Sequence, residues 1–551
     1  MAQQPENAFL EAHEPTLETT IEELLTEGIG RRAFMARAAG LGLTATGISV
    51  FLAACAVIPE EGAAGTATPT ATLFPTPTPF LDMPPATATP ISTGEPTASL
   101  TPTATPTPVL VAEPLLSTEI ARISHLLRRA GFGASPEELD GFVDMGLDAT
   151  VDYLLDYESV DNREMETLLA GYEFDLGKRT PLQRWWLLRM IHTKRPLQEK
   201  MTLFYHGILT SSFRKTGEGP EMLAQNNLFR DNAMGRYDDM LKAISRDPAM
   251  LIWLDSRRNK KAAPNENYAR ELMELFSLGI GHYNEQDVRE SARAFTGWEI
   301  RRKGFFFNSK QHDNGVKLFL GTSGDLNGDD IVDIIESQPA AGKYITRRLF
   351  EFLAYDDPDP EVVERLAKIF RDNNTEIKPV VRAIITSDEF YSPKAARAIV
   401  KSPVELLAAT VRTLKLKTDA RAFPGALDAM GQVLFEPPDV AGWPGGTTWI
   451  NSSTLLQRVN FANLVATARN SRLRLDAEKL VQDAGAKTDE EQVDFFVRLL
   501  LGGEFHHVDR ALLVEYLEEA ELVVARQRPT LDEKMRSLVY LLLASPEYQL
   551  A

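Results

Sequence analysis

The stretch Asn265-Glu266-Asn267-Tyr268-Ala269-Arg270-Glu271-Leu272-Met273-Glu274-Leu275-Phe276-Ser277-Leu278-Gly279 decides how the chain reads. Leu272, Leu275, Phe276 and Leu278 recur at helical spacing, and Gly279 stands where a helix would end. On a 3.6-residue helix Asn267, Glu271 and Glu274 share the other face. Helical patterns of the same kind lie on both sides, at residues 184–191, 196–209, 285–295, 339–353, 361–370, 403–414, 453–468 and 531–543. Ser135-Pro136-Glu137-Glu138-Leu139 places a hydroxyl, a proline and a glutamate in capping-box order. Strand signals are scarce. Phe305-Phe306-Phe307-Asn308 and Val316-Lys317-Leu318-Phe319-Leu320, separated by a turn-rich stretch with Asp313-Asn314-Gly315, predict one hairpin. The expected fold is all-α, a multi-helix globular domain with a small β-hairpin insertion. A short echo links residues 384–390 with 542–548, each an apolar helix end running into Ser-x-Glu-aromatic; two copies do not make a solenoid.

Composition excludes several classes of function. The 551 residues carry 59 Lys+Arg against 78 Asp+Glu, a formal charge of −19. Without a basic stripe to neutralise phosphates, nucleic-acid binding is set aside. A single cysteine, Cys55, excludes internal disulfides, iron–sulfur clusters and thiolate zinc sites. Any divalent metal would need oxygen and nitrogen ligands from Asp, Glu, Asn or His.

The N-terminal part reads as an address. Gly30-Arg31-Arg32-Ala33-Phe34-Met35 precedes 22 uncharged residues from Ala38 onward. Adjacent arginines, Phe34 two places later and a mild apolar segment look like a twin-arginine export signal. The segment ends in Leu52-Ala53-Ala54-Cys55, which resembles a lipobox, with Cys55 as the lipidated residue. Two acyl chains on that thiol would anchor the protein stably, where one would not. The alternative is an uncleaved helix, since 22 residues at about 1.5 Å each span a bilayer core of about 30 Å. From Pro59 to Pro108, 26 of 50 residues are Pro or Thr. Such a segment buries too little apolar surface to offset its ordering entropy and reads as a disordered stalk. The expected organisation is a signal segment over 1–54, a lipid-anchored Pro/Thr-rich linker over 55–112 and a helical domain over 113–551.

Four motifs carry a family resemblance: Arg128-Arg129-Ala130-Gly131-Phe132-Gly133, the 265–279 stretch, Ala294-Phe295-Thr296-Gly297-Trp298 and Gly442-Trp443-Pro444-Gly445-Gly446. Together they resemble the bacterial domain of unknown function 1800 family, from about Ser117 to the C-terminus. The resemblance implies an exported envelope protein, encoded beside a second family similar to sulfatases and alkaline phosphatases.

Several residues are candidates for chemistry. Glu271 and Glu274 could point at one ion or substrate, with Asn265, Asn267 and His282 nearby, a donor set suited to Mn, Fe, Zn or Ca. Arg270, four residues before Glu274, and Arg289 and Arg293 on the next helix offer the other explanation, buried ion pairs that fix helix packing. No Glu-x-x-His or His-Glu-x-x-His spacing occurs. Asp325, Asn327, Asp329 and Glu336 take EF-hand-like positions, but Asp330 stands where the loop needs glycine. The competing reading has Asp329 capping a helix from Asp330. His312 beside Asp313 on the hairpin suits acid–base work, whereas His206 on an apolar helix reads as a core histidine. Trp443 and Trp449, in a Pro- and Gly-rich loop, offer a stacking platform or fill a seam between helices. The expectation is an exported, lipid-anchored cell-envelope protein at the outer face of the membrane that binds a partner protein or a polymer such as polysaccharide. The alternative is a metal-assisted hydrolase working through Glu271, Glu274 and His282.

Overall fold

Ser135 accepts the Glu138 N–H at 3.3 Å while the Glu138 carboxylate accepts the Ser135 N–H at 2.9 Å. The capping box read from sequence therefore starts the Pro136–Met145 helix. The same reciprocal pair opens helices at Asn284, Asn327, Ser402, Asn451, Thr488 and Thr530. Each removes orphan N–H groups at a helix start, worth about 0.5–2 kcal/mol per cap.

The computed structural model describes residues 115–504, 510–523 and 529–551. Arg31, Arg32, Phe34, Cys55 and the Pro/Thr-rich segment lie outside the described residues, as do His506 and His507. The described part is mostly helical with small antiparallel sheets. Among the described residues no helix is long and apolar enough to cross a membrane.

Helix C-termini are satisfied by buried arginines from other elements. Arg129 donates to the carbonyls of Leu353 and Ala354, where the Pro339–Leu353 helix ends. Arg412 caps the Arg179–His192 helix through Ile191 O (3.1 Å) and Thr193 O (2.7 Å). Arg536 caps the Ser452–Ala466 helix through Ala466 O (2.9 Å) and Ala468 O (3.0 Å). A guanidinium suits this task, because its planar fork reaches two or three carbonyls and its charge complements the negative end of the helix dipole. The second arginine of the Arg128-Arg129 motif is thus a packing device joining distant segments.

The strands pair differently from the expected hairpin. Trp298–Arg301 pairs with Gly304–Phe307, and Lys317–Phe319 pairs with Thr322–Gly324, giving two hairpins in place of one. Their turns, Arg302-Lys303 and Leu320-Gly321, have positive φ at both positions, the geometry of a two-residue turn matched to strand twist. The first of these turns lacks the Asn-Gly chemistry that signals such turns, so the sequence pointed to the wrong one. Asp313-Asn314-Gly315 instead forms a side-chain turn, with Asp313 Oδ1 accepting the Gly315 N–H at 2.8 Å. A further three-stranded sheet joins Lys417–Thr418 to Leu473–Arg474 and that strand to Arg469–Asn470. At the two echo segments Phe390 and Tyr548 are both buried, so the shared pattern marks an aromatic tucked under a helix end.

Candidate functional site

The 265–279 stretch is neither a plain loop nor a plain α-helix. Asn259 Oδ1 accepts the Asn265 N–H at 2.9 Å, and Asn265 Oδ1 accepts the Asn267 N–H at 3.0 Å. The two asparagines set the start of an α-helix over Asn267–Glu271. From Leu272 to Ser277 the backbone is π-helical, and the N–H groups of Leu278 and Gly279 both reach Met273 O at 2.9 Å. Two tyrosines hold the widened turn: Tyr237 donates to Phe276 O (2.6 Å) and Tyr344 to Leu275 O (2.5 Å). Such turns are rare and recur at functional sites.

The expected ion pair to Glu274 is not there. Arg270 makes a bidentate contact to Glu285 (2.8 and 2.9 Å) and a longer one to Glu266 (3.3 Å). Arg293 pairs with Glu290 and Asp313. Glu274, on the π-turn, accepts the Tyr283 hydroxyl at 2.9 Å; burial, and then that hydrogen bond, push the phenol up to about 12. Burial, and then the Glu274 carboxylate, raise the Glu271 carboxyl above the ordinary range. Among the described residues no group of three or more His, Cys, Asp or Glu side chains is placed to hold a metal ion. Glu271, Glu274 and His282 therefore form no three-ligand set.

Beyond the π-turn the chain runs through Gly279 (φ 79°) and Gly281 (φ 93°). A Cβ on Gly279 would stand 3.3 Å from the Tyr344 ring, so glycine serves both the left-handed backbone and the close approach. Between the glycines Ile280 is 80% exposed. It borders a groove of about 410 Å³ whose walls are Leu278, Ala340, Tyr344, Pro360 and Val363. His282, Lys343, Arg347 and Glu364 complete the lining, with Lys343 paired to Glu364. Lys343, Tyr344, Arg347 and the π-turn were not legible in advance, because no local motif places residues 343–347 beside residue 278.

The other candidates are separated from this groove's lining. His312 is buried, with Nδ1 2.8 Å from Thr296 O and its ring against Phe307, and Asp313 is held by Arg293. The EF-hand-like reading gives way to a helix, Gly328–Glu336, capped by Asn327 and not by Asp329. Asp329 pairs with Arg246 and Asp325 faces Lys317. Glu336 lies in the last turn, about 10 Å along the axis from Asp329 at 1.5 Å per residue. Both Glu336 oxygens are buried without a hydrogen bond, and burial followed by the Asp238 and Asp333 carboxylates pushes the carboxyl up to about 8. Trp449 is buried in the core; Trp443 is half-buried, its ring 5.5 Å from that of His206. A Cβ on Gly442 would stand 2.2 Å from Gly207 O, so the tryptophan loop sits hard against the Pro196–Ile208 helix. His206 accepts the Phe435 N–H at 3.1 Å and is drawn down to about 3 by burial, a neutral core histidine as the sequence implied.

A family model described as Protein of unknown function (DUF1800) matches residues 125–550, and the chain belongs to that family. No curated protein and no solved structure matches the chain.

Proposed function

We propose that this member of the family is an exported cell-envelope protein, held at the outer face of the membrane by lipid on Cys55, whose helical domain binds a partner protein in the groove beside the π-turn. The observation that carries binding is the groove itself: an apolar floor of Leu278, Ala340, Pro360 and Val363, an exposed Ile280 on a glycine-flanked loop, and Lys343 and Arg347 at the edge. Apolar walls with Arg347 beside the Lys343–Glu364 pair fit a peptide segment that presents an apolar side chain next to a carboxylate. A polysaccharide would find one aromatic ring there, Tyr344, whose hydroxyl already serves Leu275. The sulfatase-like protein expected from neighbouring genes is the first partner to test.

The anchor and the route rest on Arg31, Arg32, Phe34 and Cys55, and the Pro/Thr-rich segment would hold the domain away from the membrane. The hydrolase alternative rests on Glu271 and Glu274, two adjacent carboxyls of which one is pushed upward. It calls for a third ligand supplied from outside the described residues or by substrate. Co-sedimentation with isolated envelopes tests binding. The double variant Lys343→Glu, Arg347→Glu should lower the bound fraction at least tenfold, and protease treatment of the envelopes should abolish binding of the wild type. Retention by protease-stripped envelopes would replace the protein partner with a polymer.

A further inference from the structure

We infer that a small monovalent anion, of chloride size, binds in a narrow, part-open pocket lined by Ser124, Arg128 and Lys401 and supplies counter-charge there. The cavity has room for about one water-sized occupant, ≈ 20 Å³, close to the minimum that holds a single particle. Sulfate or phosphate would not fit.

The lining is all donors and hydrocarbon. The Ser124 hydroxyl is buried and has no hydrogen-bond partner. Arg128 is half-buried, and its Nε is buried without a hydrogen-bond partner. Lys401 is buried and gives one of its three ammonium protons to Tyr548 O at 2.7 Å, lying over the Tyr548 ring at 3.9 Å. Leu127, Leu139, Leu499 and Leu500 close the sides, and no carboxylate is among the described lining residues. Two left-handed glycines bring the backbone close: a Cβ on Gly502 would stand 3.1 Å from Arg128 Nη1, and one on Gly133 2.9 Å from Thr413 Oγ1.

The nearby carboxylates lie outside the lining. Glu405 pairs with Lys200 and caps its own helix at Ser402. Glu504 accepts the Leu116 N–H through one oxygen, keeps the other buried without a hydrogen bond 4.0 Å from Arg397, and offsets part of the Arg128 charge, while Arg397 donates to Leu501 O and Glu547 O. Unpaired buried cations are costly and shed protons. Burial and then Arg397 draw Arg128 down to about 9, and burial and then Arg128 hold Lys401 far below its ordinary value. Water in the cavity would satisfy donors but bring no charge.

The purified exported chain is melted in sodium chloride, bromide and gluconate at matched ionic strength, and crystals grown in bromide are examined by anomalous scattering. The expected result is a saturable rise in Tm with either halide and none with gluconate, a bromide peak between Arg128 and Lys401, and at least tenfold weaker halide dependence in Arg128→Gln. Equal rises in all three salts, unchanged halide dependence in Arg128→Gln, or no bromide at the cavity would each overturn the inference. The bromide map is read on the wild type, so it stands even where the variant does not fold.

Discussion

At Glu199 one carboxylate serves three donors: Arg230 at 2.6 and 3.0 Å, Arg189 at 3.1 Å and the Trp186 indole at 3.0 Å. It is fully buried, and despite burial the two guanidiniums hold it down at about 2. Glu199→Ala strands the Arg230 charge in the core and leaves Arg189 only the exposed Glu166, so urea unfolding should show a loss of about 3–5 kcal/mol. Glu274, whose partner is a tyrosine hydroxyl, should behave otherwise. An amide oxygen can still accept that proton, and Glu274→Gln should cost no more than about 1–2 kcal/mol. Glu336 gives a pH signature. Its folded value near 8 lies above the roughly 4.3 of an unfolded glutamate. The folded state therefore keeps a proton the unfolded state has lost, and stability present below about pH 4 is lost as pH rises through 8. Linkage over that interval amounts to roughly 5 kcal/mol. Glu336→Gln should remove this component: melts at pH 5 and pH 8 should show the variant gaining on the wild type at pH 8 only.

Among the elements, the π-turn depends on two hydroxyls that no sequence pattern ties to it. Tyr344→Phe leaves Leu275 O without its donor and should cost about 1–3 kcal/mol, and faster amide exchange at Leu278 and Gly279 would report that the turn itself loosens. Unchanged exchange there would show that Met273 O and the Tyr237 hydroxyl hold the turn without Tyr344. Capping boxes and helix periodicity were legible because they are local: Ser135 and Glu138 are three residues apart. Helix C-termini were not, because Arg412 and Ile191 or Arg536 and Ala466 meet only after folding. The hairpins failed for a different reason. Arg302-Lys303 adopts positive φ against its intrinsic preference, held by packing of the flanking strands, while Asp313-Asn314-Gly315 has turn chemistry and lies outside the strand pairs. At the candidate site, Glu271 and Glu274 were visible as a pair, but the π-register that turns Glu274 toward Tyr283 was not.

On the scale of the whole molecule the proposed location rests on Arg31, Arg32, the charge-free run after Arg37 and the solitary Cys55. Replacing Arg31 and Arg32 by lysine should leave a folded protein in the cytoplasm, detected by fractionation, since the route reads the guanidinium pair. Cys55→Ser should shed the protein from membranes in detergent phase partitioning; unchanged partitioning would favour a retained helix. The central claim is that an envelope-held domain grips a partner at the groove. It is tested most directly by placing a photoreactive amino acid at Ile280 in living cells, with Leu318, 47% exposed and outside the groove's lining, as the control position. A discrete higher-mass adduct from position 280 alone is the predicted result, and no adduct at 280, or the same adduct from both positions, would contradict it.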